Sequence, residues 1–182
     1  MPTFQRAPKS VSDLSNEILC QFPTHKPLLD AKVKIDFVFA FADEDDHGNP
    51  KNSAISHGGY PALGVARIVK LKDRALGHGD AEITLDANWW EGQIGQVGQK
   101  LQRALLDHEL HHLEVKTDKH GRLEYDDIKR PLLKMRKHDF QFGWFTAIAE
   151  RHGNCSMEQV QAQLMMSKAG QFYWPELCEK KV

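Results

Sequence analysis

The stretch Leu105-Leu106-Asp107-His108-Glu109-Leu110-His111-His112-Leu113 holds two histidines four apart, with a glutamate directly after the first. On a helix, positions i and i+4 share a face, so His108 and His112 can converge on one metal ion while Glu109 stands about 100° round the axis from His108. Two neutral imidazoles and a third protein ligand leave a Zn²⁺ position open to water, whose pKa falls to about 7 in such sites. Glu109 is then placed to accept the water's proton and deliver it to a leaving amine. The alternative is a pair of core histidines with no metal.

A helix has to hold these residues. Ile94, Val97, Leu101, Leu105, His108, His112 and Val115 recur at spacings of three and four, which predicts one helix over about Gln93 to Lys116 with the histidines prolonging a buried apolar stripe. Buried imidazoles need partners for their ring nitrogens, and a metal supplies one for each. His111 falls off that stripe and reads as a surface group or one that supports a ligand, not as a ligand itself.

The third ligand has three candidates. Asp118 lies six residues after His112, but the glycine turn that such an arrangement needs is replaced by Val115. His120 would require the helix to unwind at once. His138, 26 residues beyond His112, precedes a Phe-rich segment that can carry its ring to the metal, and is the preferred choice. Asp107 and Asp139 flank the ligands and are candidates to orient an imidazole from its second nitrogen, or else are surface charges or caps.

The other elements follow from period. A helix is expected from about Val11 to Phe22, stopped by Pro23. Residues 32–41 alternate and then turn wholly apolar, as a strand entering a core does; 64–71 and 81–86 read as two more strands. The third of these runs straight toward the metal helix and is expected to be the edge that holds an extended substrate. Trp89 and Trp90 are expected to pack at that junction. Residues 42–63 read as loop; their acidic run departs from a calcium loop, with Ala54 where a bidentate Glu belongs. A turn is expected around His120-Gly121, and helices over about Asp139–His152 and Met157–Lys168. The fold class is α+β: a three- or four-stranded sheet packed on the metal helix, with flanking helices. Residues 1–10 read as a flexible arm, 11–153 as the metal-binding domain, and 154–182 as a helical C-terminal extension.

At 182 residues and a net charge of −1, the chain suits one domain of ordinary soluble character. It has no apolar run of the ~20 residues that a membrane span needs, and its start lacks a signal peptide's apolar core, so a cytoplasmic protein is expected. Cys20, Cys155 and Cys178 show no C-x-x-C pairing and read as free thiols. Residues 116–137 carry eight Lys or Arg against four acids. That is usually a solvated face, but it leaves nucleic acid as a possible partner.

The run Ala104 to His112, with Ile83-Thr84-Leu85-Asp86 and a Trp before it, resembles the phage metallopeptidase family found in phages and prophages. Lys137-His138-Asp139-Phe140-Gln141-Phe142, followed by a helix ending Arg151-His152-Gly153, fits that family's downstream block and is similar to the His-x-x-x-Phe of SprT-like and YgjP-like zinc peptidases. The resemblance covers about residues 30–153. It implies a small gluzincin-like zincin with a zinc ion held by His108, His112 and His138. The activity it implies is hydrolysis of peptide bonds in a protein substrate, in the host cytosol. The rival readings are a metal-dependent nuclease and a non-catalytic binding protein that keeps the fold to act on a host factor.

Overall fold

The computed structural model describes residues 1–45, 47, 53–138, 146–152 and 157–169. Its first strand lies where an arm was expected. β1 (Thr3–Arg6) pairs antiparallel with β2 (Ile35–Phe41), Phe4 opposite Ala40 and Arg6 opposite Val38. Without β1, the outer backbone groups of β2 would stand unpaired, and a short polar strand caps that edge.

α1 (Lys9–Gln21) comes between them and buries Val11, Ser15, Ile18 and Leu19, one face at helical spacing, before Pro23 ends it. A 3₁₀ turn over Pro23–His25 and α2 (Lys26–Asp30) return the chain to β2. A small hairpin, β3 (Ile55–His57) and β4 (Tyr60–Ala62), precedes β5 (Gly64–Ile68). The strand expected over 64–71 stops early, because Leu71–Ala75 forms α3. β6 (Ala81–Asp86) then pairs parallel with β2 and antiparallel with β5, giving the order β1-β2-β6-β5. The four-stranded α+β architecture is thus as expected, but β6 is flanked on both sides and cannot be the free edge. Among the described residues the edges of this sheet are β1 and β5.

One sheet face carries Phe39, Ala66, Ala81, Ile83 and Leu85 into a core shared with Val11, Ile18, Leu106 and Leu110. The opposite face holds an open groove of about 710 Å³ lined by residues such as Arg6, Val38, Arg67, Glu82 and Thr84. α4 (Ala87–Gly92) is capped by the Asp86 carboxylate, which accepts from Trp89 N (2.9 Å), and it buries Trp90 against Phe39 with ring centroids 6.1 Å apart.

α5 (Gly95–His111) is the metal helix of the sequence reading, but it ends five residues before the expected Lys116. Leu113–Val115 forms β7, paired antiparallel with β8 (Leu133–Met135). Leu-Glu-Val alternates, and a strand partner 20 residues away overrides the helical period. Between them the chain makes tight turns at Asp118–Gly121 and Asp126–Lys129.

The chain divides into two units, Met1–Lys137 and His138–Val182. In the second, α6 (Thr146–His152) and α7 (Met157–Ala169) are helices, as expected for those residues. Asp139, Cys155, Cys178 and the Phe-rich segment 139–145 lie outside the described residues. No described helix is long and apolar enough to cross a membrane.

Candidate metal centre

α5 turns a different face to the core from the one its longest apolar stripe predicts. Leu106, Leu110 and, just past its end, Leu113 are spaced four and three and pack on the sheet; Ile94 and Val97 remain 86% and 71% exposed. The expectation of buried histidines is therefore corrected: His108 is exposed and His112 half-buried. Rotating the helix this way carries Glu109 inside, where it is 4% exposed. Both stripes satisfy the helical period, and the one with Leu106 and Leu110 is the one that joins the core.

The start of α5 is fixed by close approach: a Cβ on Gly98 would lie 2.4 Å from the Gln93 carbonyl carbon. Its end is fixed by His112, which caps the helix and faces β8. The Nδ1–H of His112 donates to the Arg136 carbonyl oxygen (2.9 Å), while the Arg136 N–H donates to the His112 carbonyl (2.7 Å). A proton held on Nδ1 leaves Nε2 with its lone pair available, the tautomer a metal ligand requires.

The His108 and His112 rings stand edge to face with centroids 5.0 Å apart. His138, three residues beyond β8, completes a group: one ligand nitrogen from each of His108, His112 and His138 lies within 4.8 Å of the other two. Ligand atoms around tetrahedral zinc are about 3.3 Å apart at bond lengths of ~2.0–2.1 Å, so the donor set is close to that of one ion. All three donors are imidazoles, which suit zinc and its first-row neighbours rather than calcium or magnesium. Among the described residues His108 and His138 are exposed and His112 is half-buried.

The other two ligand candidates are not in this group. Both oxygens of Asp118 serve its own turn: one accepts from His120 N (2.8 Å) and Arg122 N (3.0 Å), the other from Arg122 Nε (2.9 Å). These donors, the Arg122 backbone first, hold its carboxyl below the usual carboxylate range. His120 is exposed on that turn.

Asp107 accepts from the buried His25 Nε2–H (2.7 Å), a contact joining α5 to the 3₁₀ turn, and the His25 ring stands edge-on to His111 at 5.9 Å. His111, read as a surface group, is exposed and accepts from the Arg136 guanidinium (2.8 Å).

Glu109 packs against β5. The backbone bonds Asp86 N to Leu63 O and Val69 N to Asp80 O turn the odd-numbered residues of this segment toward β6, so Gly64, Ala66 and Ile68 direct their backbone groups to the free edge. There the Ala66 N–H faces the Glu109 carboxylate. Burial raises the Glu109 pKa above the ordinary carboxylate value, outweighing the lowering by His112 and by the Ala66 N–H. The Arg136 carbonyl and the approach of β5, itself an expected strand, to Glu109 are what sequence reasoning missed, since backbone groups leave no mark in residue type.

The profile of the family described as "Putative phage metallopeptidase" matches residues 3–169. The chain belongs to this family. The match reaches both ways beyond residues 30–153, taking in β1 and α7. Membership gives the histidine group a context at the level of the family: a metallopeptidase implies a bound metal and a protein or peptide substrate. No curated protein and no solved structure matches the chain significantly.

Proposed function

We propose that this protein is a zinc peptidase of the gluzincin type, with His108, His112 and His138 as metal ligands and Glu109 as general base. The observation that carries the reading is a nearly dry carboxylate next to a three-histidine group. Burying a carboxylate is costly, and a protein that only binds a partner has no chemical need to bear that cost beside a metal site.

A bound zinc ion supplies a Lewis acid that polarises the scissile carbonyl and acidifies water. The chain's own residues do the rest. Glu109, made more basic by burial, accepts the proton of the attacking water and returns it to the leaving nitrogen. The Arg136 carbonyl keeps His112 in the ligating tautomer. The edge of β5, beside Glu109, takes over the substrate-holding role first read onto β6: an extended peptide can pair with the outward backbone groups that Glu109 does not occupy, such as the Ala66 carbonyl. Asp107, committed to His25, braces α5 beneath His108, and a role for Asp139 in orienting the His138 ring is part of the same reading.

Metal analysis of the purified protein tests this. About one zinc per chain is expected, lost in His138→Ala and His108→Ala and kept in Glu109→Gln, Asp118→Ala and His120→Ala. Glu109→Gln should lose at least about 100-fold in peptide-bond cleavage, in keeping with the usual contribution of a general base. Folded wild type that takes up no zinc even when supplied with it would sink the proposal.

A further inference from the structure

Gly64 sits on β5 opposite Leu85, and its φ is not in the left-handed region, so the backbone there would accept any L-residue. Space is what it provides. A Cβ on Gly64 would stand 2.9 Å from Glu109 Cγ, 2.9 Å from Oε1 and 3.0 Å from Cδ. The three atoms nearest to it all belong to the Glu109 side chain and none to backbone. Two residues along, on the same face of the same strand, Ala66 carries a Cβ and is buried. Clearance is thus required at one point of β5, where the carboxylate passes on its way to the Ala66 N–H.

We propose that Gly64 is a positioning residue: by presenting no side chain, it lets β5 hold the Glu109 carboxylate in one place, against the strand and beside the histidines. The inference rests on Glu109 being the general base. Since the strand is fixed on one side by β6 and the glutamate is the flexible partner, adding a methyl group displaces the carboxylate and leaves the fold intact. Misplacement of a reacting group by about 1 Å costs up to about 100-fold in rate.

The test compares wild type with Gly64→Ala in the zinc-loaded protein of 182 residues. The expected result is a kcat lower by about 10- to 100-fold with KM within about twofold, since only the geometry of the base has changed. Zinc content should be unaltered. Val65→Ala, next on the strand and facing the other side, should keep its kcat and exclude a general weakening of β5. An activity-free readout comes from the Ala66 amide, whose hydrogen exchange should quicken in Gly64→Ala toward the rate seen in Glu109→Ala, because both take the covering carboxylate away from it.

If Gly64→Ala is poorly folded, the same substitution in the Glu109→Ala background decides the matter. There the obstructing side chain is gone, and no further change in Tm is expected. The proposal is overturned if Gly64→Ala keeps full kcat with unchanged Ala66 exchange, or if it lowers Tm equally with and without the Glu109 side chain. Failure of the zinc-loaded wild type to cleave any peptide would overturn the peptidase reading instead, while exchange and Tm would still decide whether Gly64 positions Glu109.

Discussion

The Glu109 carboxylate is placed where water is scarce, and the protonated form gains from it. In protein stripped of metal, the raised folded-state pKa means that the folded chain keeps a proton the unfolded chain has already released. This contribution to stability is full below the unfolded value, about 4.3, and is lost as pH rises through the folded one. Thermal melts of chelated protein should therefore show Tm falling with pH across that window relative to Glu109→Gln; parallel profiles for the two would contradict it. The same burial is what the sequence concealed. His108, Glu109, His112 and His138 declare themselves by residue type and spacing, and the three imidazoles do come together. Which of them faces water depends on how α5 is rolled, and two apolar stripes were available to roll it. Gly64 and the Arg136 carbonyl act through a missing side chain and a backbone oxygen, so nothing in the residue letters points to either.

Between α5 and His138, the chain is held by a buried ion network. Arg74 is bonded to Asp80, reaches Asp126 Oδ2 (2.9 Å) and donates to the Pro131 carbonyl (2.8 Å); Arg130 Nε meets Asp80 Oδ1 at 2.8 Å. The Asp80 carboxylate also accepts from Lys34 N (2.7 Å), so one cluster joins the start of β2, the α3 region and the segment leading into β8. Removing one partner strands the other charges in a dry place. Arg74→Ala should lower the unfolding free energy by about 3–5 kcal/mol, read from urea titrations. An Arg74→Ala protein within 1 kcal/mol of wild type would show that these charges are hydrated rather than paired. Local period made β2, β6 and the body of α5 legible, because each is long and strongly patterned. It failed at β1 and β7, whose few residues become strands only through partners more than ten residues away.

For the molecule as a whole, the proposed metal is a cross-link between the end of α5 and the segment after β8. Zinc that binds only the folded state at 100 times its Kd adds about 2.7 kcal/mol. For a chain of this size that is about 5–10 °C in Tm. Calorimetry with and without a chelator should show this increment in wild type and Glu109→Gln and its absence in His138→Ala; an equal increment in His138→Ala would mean that zinc binds elsewhere.

His112 and Arg136 are already tied by two hydrogen bonds, and everything from residue 113 to 135 is an excursion that leaves this knot and returns to it. Polymer statistics make such a detour inexpensive to extend, each doubling of its length adding only about 0.6 kcal/mol of closure entropy. The exposed turn at His120-Gly121 is therefore a port for insertion. A peptide segment grafted there should leave the paired ends of the detour, and so the His112–Arg136 knot, unchanged.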